Sequence, residues 1–345
     1  MRNRSKFEKQ ERDRVMNLLI NSNDIFNGDN AGKQYPTNDG LKPSPIHLLN
    51  CRNNLINGIV QDVIDYFNKN EIAFWKTDVD EDKMPTGHTL SSQIACINHL
   101  FPLRNDKDAV LAIAQTICPE IVDVMKIETD KYFPSYIAFE VVSDTDHLNE
   151  TKDNQKFTRG KMCTSVDALI YAKHKDSRHI IIPIEWKYTE NYHENGKPDK
   201  DYSIEDRRHE KEGKGKERLL RYSDLITNSN QLKSLDKYKN SVYFFEPFYQ
   251  LMRQTLWAEQ MIAGKATETI QADDFIHVHV ISKENDALLN YNYPVSNNSM
   301  EETWRKCLHN QEKYKIISPK ELAASIDYEK YLNLIRYLST RYWRE

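Results

Sequence analysis

Two apolar runs constrain this chain most: Val166 to Ile170, and Ile180-Ile181-Ile182-Pro183-Ile184, which continues into Glu185-Trp186-Lys187. β-branched and aliphatic residues at this density make strands buried within a sheet. The short polar stretch Lys175-Asp-Ser-Arg178 between them has turn chemistry, so the pair is expected to form a hairpin. Residues two apart on a strand share a face. Glu185 and Lys187 should then face one way, with Ile184 and Trp186 turned into a core on the other. On the partner strand Asp167 should share its face with Ser165 and Leu169, leaving Val166, Ala168 and Ile170 opposite. A register that sets Asp167 against Glu185 would bring two hard oxygen ligands within reach of one cation. Magnesium suits such a pair, because it takes one or two carboxylates, keeps several waters and leaves room for a phosphate oxygen. Lys187 would stand beside it, and the set outlines a metal-dependent nuclease site. Asp176 and Asp144 are rival candidates for the aspartate, although Asp176 falls in the turn, where aspartate is expected on conformational grounds alone.

Asp167 and Glu185-Trp186-Lys187 resemble the signature of the PD-(D/E)XK nuclease superfamily. The expected elements around them fall in a matching order: a helix at 90–103, a strand at 136–142, the two hairpin strands, a helix at 246–263 and a strand at 275–282. The phrases SSQIACINHLFPL, CTSVDALIYAKH, IEWKYTE and EPFYQLMRQTLWAE are similar to an uncharacterised group of bacterial restriction-endonuclease-like proteins within that superfamily. The resemblance spans roughly residues 85 to 285. Val166 stands where the superfamily commonly has a proline before the aspartate.

What the resemblance implies is an α/β fold with an αβββαβ core, a mixed central sheet flanked by helices, in which residues 85–285 form the catalytic unit. Residues 1–84 and 286–345 would be helical extensions. The implied activity is magnesium-dependent hydrolysis of phosphodiester bonds in DNA, with manganese as a substitute. Asp167 and Glu185 would hold the metal with the main-chain carbonyl of Trp186, Glu140 would add a carboxylate, and Lys187 would act on the reacting phosphate. Gln93 resembles the position from which the first helix reaches the site. A restriction role would bring a cognate methyltransferase and a homodimer among the partners. The alternatives are a binding module on the same scaffold that does not cleave, and an interaction protein whose hairpin charges form a solvated ion-pair network.

The remaining sequence narrows the class. Of 345 residues 29% are charged, mean hydropathy is -0.75, and no apolar run reaches the length of a membrane span, so a membrane partner is not expected. The segment MRNRSKFEKQERDR lacks an apolar signal region, and a cytoplasmic location is expected. Cys51, Cys96, Cys118, Cys163 and Cys307 are scattered without a CxxC pair, which argues against a disulfide framework or structural zinc. A net charge of -4 disfavours a polyanionic partner unless the basic residues cluster. They do so between Arg207 and Arg221, through Arg208, Lys211, Lys214, Lys216 and Arg218, in a segment that reads either as a solvated loop or as a phosphate-contacting one. His277 and His279 share a strand face at a spacing that can bind metal, though no third ligand is indicated. Arg253, Gln254 and Trp257 on the second helix could contact DNA or pack. Helices are expected at Phe7–Ile20 and Ile46–Phe67, with a turn-rich stretch between them. Ser318-Pro-Lys-Glu321 has the pattern of a helix start, leading to a tyrosine-rich helical tail.

Overall fold

The computed structural model describes residues 4–22, 24–37, 40–77, 79–130, 133–151, 159, 163–192, 214–234 and 241–344, with only the backbone for 35–37 and 214–216. The chain opens with helix α1 (Lys6–Asn21), a small hairpin of β1 (Gln34–Thr37) and β2 (Gly40–Pro43), and helix α2 (Val60–Lys69). Helices α3 (Ser92–Leu100) and α4 (Lys107–Ile117) lead into strands β3 (Ile121–Met125), β4 (Ile137–Val141), β5 (Val166–His174) and β6 (His179–Lys187). Helices α5 (Lys214–Thr227) and α6 (Phe248–Ala263) precede β7 (Asp274–Phe275) and β8 (His277–Ile281). Then follow α7 (Asp286–Leu289), α8 (Met300–Lys306), β9 (Tyr314–Ile317), α9 (Pro319–Leu322) and α10 (Leu332–Arg341).

β5 and β6 form the expected antiparallel hairpin, closed by the turn that holds Asp176. β3 and β4 lie end to end along the outer edge of β5, both antiparallel to it. On its other edge β6 pairs in parallel with β7 and β8, and β9 extends the sheet in parallel beyond β8. The result is a mixed sheet of seven strands among the described residues. Pro183 has no N–H to give, and the ladder along that edge is interrupted between Ile181↔Phe275 and Ile184↔Val278, the interval in which it stands.

Helices cover both faces, giving three layers. Ala168, Ile170, Ile182, Ile184 and Trp186 join one core with residues of α2, α3, α4 and α10. Leu169, Ile181 and Ile281 join a second with residues of α6 and α8. Both faces of the hairpin are therefore packed, the one that carries the charged residues as well as the apolar one. α6 lies over the side that carries Glu185 and Lys187, and both are buried.

Several local expectations change for identifiable reasons. The helix expected over 46–67 is confined to α2, preceded by a short 3-10 turn at Cys51–Asn54. Asn50 caps that turn by accepting from the Arg52 N–H at 3.1 Å, and Gly58 takes φ +91°, which ends any continuation. From Lys214 the basic segment is helix rather than loop. Arg207, Arg208 and Lys211, and the side chains of Lys214 and Lys216, lie outside the described residues. Among the rest, Arg221 pairs with Glu217 at 2.9 Å and Arg218 lies over Tyr249. Ser318 and Glu321 form the reciprocal cap that the sequence suggests, but the helix it starts is one turn long.

The first and last helices close the back of the hairpin. Arg14 donates to the Ser339 carbonyl at 2.8 Å, and Arg344 and Tyr188 both donate to buried Glu11, at 2.9 and 2.6 Å. His99 on α3 packs against Trp186, with ring centroids 4.7 Å apart. Its Nδ1 bonds the Ala95 carbonyl at 2.7 Å and its Nε2 accepts from the Trp343 indole at 3.0 Å. The accepting Nε2 requires the neutral imidazole, and burial, against the Ala95 hydrogen bond, lowers the pKa to about 3. The unfolded chain takes up a proton at this residue below pH ~6.5 while the folded one does not, so stability falls with pH through that window until pH ~3. Replacing His99 with glutamine should weaken the fold at pH 7. It should also shrink the loss of stability between pH 7 and pH 5 by about 2 kcal/mol, at 1.36 kcal/mol per unit. Urea midpoints at the two pH values test this, and an unchanged difference would mean that His99 already titrates alike in both states.

A candidate active site at the end of the hairpin

The β5–β6 register runs from Ala168↔Ile184 to Lys173↔His179, so one further step sets Asp167 opposite Glu185. Asp167 Oδ2 accepts from the Trp186 N–H at 2.7 Å, which locks the end of the hairpin. On the other side of Asp167 stands Glu140, between the pairs Phe139↔Ala168 and Val141↔Val166. Asp176 and Asp144, the rival aspartates, lie elsewhere: Asp176 binds Arg178 in the turn, and Asp144 accepts from the Thr269 N–H.

Glu140 has φ +48°, a left-handed conformation that costs a non-glycine residue about 1–3 kcal/mol. The consequence is visible in the packing. Phe139 and Ala168 belong to the first core, whereas the next pair, Val141 and Val166, belongs to the second. Regular alternation therefore stops at the Glu140–Asp167 step, and the expectation that Val166 shares a face with Ala168 fails there.

Arg159, Tyr66 and Asp130 hold this strained step in place. Phe139 N–H donates to the Tyr66 hydroxyl at 3.1 Å, and Arg159 donates to the carbonyls of Phe139 (2.5 Å) and Glu140 (3.2 Å). Asp130, fully buried, pairs with Arg159 at 2.6 Å and accepts from Tyr66.

The four candidate side chains, Glu140, Asp167, Glu185 and Lys187, lie at the same end of the sheet but face different partners. Glu140 accepts from Gln93 of α3 at 2.7 Å and from Ser165 at 3.1 Å. Glu185, 2% exposed, pairs with Lys187 at 2.5 Å and accepts from Gln254. Lys187, 6% exposed, also donates to Gln250 at 2.7 Å. Gln254 is fixed in turn by His277 at 2.9 Å. Gln250 and Gln254 lie one turn apart on α6, on the face presented to β6, and that spacing was the available signal for them. Arg253 binds Glu150 and Trp257 is buried, so both pack rather than offer a free surface. His279 bonds Tyr314 at 3.1 Å.

Three acids and one lysine leave surplus negative charge in a low-dielectric place. Burial pushes the Asp167 carboxyl well above its usual range, and the charges of Glu185 and Glu140 push further. Burial also raises Glu140, against the hydrogen bonds from Gln93 and Ser165. Burial works against the Lys187 ammonium, but the surrounding acids, Glu185 foremost, outweigh it and hold the lysine charged. A divalent cation would supply the positive charge the cluster lacks, whereas here Asp167 is met by the Trp186 N–H and Glu185 by Lys187 and Gln254. Among the described residues no group of three or more His, Cys, Asp or Glu side chains is placed to hold a metal ion.

Glu140 and Asp167 also line a cleft of about 1040 Å³, whose walls carry Arg4, Arg12, Lys42 and Lys76. Glu185 and Lys187 do not reach it. A family model described as restriction endonuclease associating with ARP matches residues 17–343. The chain belongs to that family. No curated protein and no solved structure matches it. Membership places the chain in a restriction-endonuclease group across nearly its whole length, including α10 but only the end of α1.

Two outcomes follow from this electrostatic arrangement. Asp167→Asn removes the surplus charge while keeping an oxygen for the Trp186 N–H. The acid's raised pKa means that its ionised form burdens the fold above that pKa, and the burden lifts as pH falls toward the unfolded value near 4. In chelator at pH 7 the variant should therefore unfold at a higher temperature than the parent, by on the order of 1 kcal/mol or more. Added magnesium should stabilise only the parent, and a variant less stable than the parent in chelator would show that Asp167 is structurally paired instead. Arg159→Leu should cost about 3–5 kcal/mol in denaturant unfolding, because it strands the buried Asp130 carboxylate. Loss below about 1 kcal/mol would mean that the Glu140 turn holds without it.

Proposed function

We propose that this protein is a metal-dependent endonuclease that hydrolyses phosphodiester bonds in DNA, on a restriction-endonuclease-like αβββαβ core running from α3 through β4, β5, β6 and α6 to β8. The observation that carries the proposal is the meeting of Asp167, Glu185 and Lys187 at the end of the central hairpin, beside a cleft that Asp167 lines. Asp167 and Glu185 would hold magnesium, or manganese in its place, with the Trp186 carbonyl as a further donor, while Glu140, whose oxygens accept from Gln93 and Ser165, is not placed as a third acid of the same site. Bound there, the cation supplies positive charge to the phosphoryl oxygens and makes water more acidic. Glu140 and Asp167 sit where a phosphate entering the cleft would meet them. Lys187, oriented by Gln250 and Glu185, lies outside the cleft lining, and its compact charge would act on the phosphoryl oxygens only where the phosphate is drawn past Asp167 toward it. Gln254 fixes the second oxygen of Glu185, so that the acid is held before substrate arrives.

Partners follow as proposals: DNA first, then a second copy of the chain and a cognate methyltransferase if the role is restriction, and ARP by the family's description. Among the described residues no helix is long and apolar enough to cross a membrane, and the proposed site of action is the cytoplasm.

A second reading has a specific observation in its favour. Glu185 and Lys187 are sealed from the cleft and bound to each other, as they would be in a nucleic-acid-binding module that does not cleave.

Cleavage assays separate the two. The full chain, given methylated and unmethylated DNA with magnesium, manganese or chelator, should cut only with metal. Asp167→Ala and Glu185→Ala should each reduce the rate about a thousandfold or more, since a metal contributes several kcal/mol at ~1.4 kcal/mol per decade. Lys187→Ala should lower turnover far more than metal affinity, and Lys187→Arg should rescue poorly because a planar fork does not reproduce a point charge. Parental rates in either acid variant would refute the site. Absence of cutting by the parent under every condition, with DNA still bound, would select the silent module.

A further inference from the structure

The cleft that reaches Glu140 and Asp167 carries an aromatic side chain that the core does not use. Trp75 is 51% exposed on its wall, whereas Trp186, Trp257 and Trp304 are all buried. A large apolar ring left half in water carries an unfavourable hydration term that burial elsewhere would have removed. Its position follows from period-two alternation in the extended segment 72–77. Ile72 and Phe74 are buried, with Phe74 stacked on Phe67 at 4.2 Å and 8°, so Ala73 and Trp75 turn outward.

The segment is pinned beyond that anchor. Thr77 donates its N–H and its hydroxyl to Asp80, at 2.9 and 2.8 Å, and Asp80 is itself held by His47, Thr86 and Gly87. The Trp75 N–H donates to Gln93 Oε1 at 2.9 Å, and the same amide donates through Nε2 to Glu140 at 2.7 Å. A single glutamine therefore sets the position of the ring relative to a carboxylate of the candidate site. His88 meets the ring edge-on at a centroid distance of 5.9 Å.

We propose that Trp75 is a stacking platform for a nucleobase of bound DNA, and that it favours an unpaired or extruded base beside the scissile phosphate. The inference rests on the nuclease reading above and deepens it by naming the form of the substrate. An exposed indole on a pinned backbone offers a face to any base, whatever its sequence, and Arg4, Arg12, Lys42 and Lys76 line the same cleft, with Arg4 paired to Glu8 and Lys76 to Asp82. The bases of an intact duplex are already stacked on each other, so the platform discriminates by strand state.

The test uses the full chain with calcium in place of magnesium, a fluorescent blunt duplex, and the same duplex with a short single-stranded gap. The parent should bind the gapped DNA more tightly, and its tryptophan fluorescence should fall on binding. Trp75→Ala should lose about tenfold or more in affinity for gapped DNA, lose the quenching, and bind the blunt duplex within about twofold of the parent. Trp75→Phe should restore most of the gapped affinity and Trp75→Leu should not, because stacking rather than apolar area is at stake. Unchanged melting temperatures show that the variants fold. Equal binding of gapped DNA by the parent and Trp75→Ala, or rescue by leucine as complete as by phenylalanine, would overturn the platform and leave the nuclease reading standing. A parent that binds neither DNA would overturn both.

Discussion

The left-handed backbone at Glu140 organises the end of the sheet where the candidate site lies. A strand that kept its alternation would carry one core face straight past this point. Here the pair before the step packs into one core and the pair after it into the other, and the intervening acids are freed for the cleft. Strain of this kind persists only where surroundings over-determine it. Tyr66 and Arg159 do so by satisfying the Phe139 and Glu140 backbone groups on the strand's outer edge, and Asp130 offsets the guanidinium charge. The same contacts cover an edge that would otherwise offer unpaired hydrogen-bonding groups.

Burial on both faces of the sheet then decides the electrostatics. A carboxylate at the margin of a solvated hairpin would titrate near its ordinary value, and a lysine beside it would form a weak pair. With α6 laid over β6, Glu185 and Lys187 lose water and gain amide partners from Gln250 and Gln254 instead. Desolvation strengthens the attraction within that pair and the repulsion among the acids alike. The repulsion among the acids thus costs stability at the place where the candidate site lies.

What could be read in the sequence was local in character. The hairpin, its register and the meeting of Asp167, Glu185 and Lys187 follow from alternation along two adjacent strands joined by a short turn, where few other arrangements exist. Helix α3 and helix α6 were visible for the same reason. Helix α4 was equally accessible, since Ala109, Val110, Ile113, Ala114 and Ile117 follow helical spacing behind an Asp106 cap, and the charged motif drew attention away from it. The support of Glu140 was not accessible. Tyr66 and Arg159 are 93 positions apart, and neither carries any local mark of meeting over a strained strand residue. The cleft wall was hidden too, because Arg4, Lys42, Lys76 and Trp75 are brought together only by the packing of α1, the β1–β2 hairpin and the segment after α2.

Gln93 joins two parts of the molecule that are 18 positions apart on one side and 47 on the other. Because a backbone N–H occupies its carbonyl, the orientation of the amide is settled, and the hydrogen it offers Glu140 cannot be exchanged for a lone pair. Any ligand that competed for that Glu140 oxygen would leave the amide seeking another acceptor and alter the free energy of holding the wall where it stands. Linkage makes such an effect reciprocal: whatever seats itself on the wall would change the affinity of the acid for its ligand by the same factor. A side chain with no charge and no reactivity would then set the cooperativity between the two.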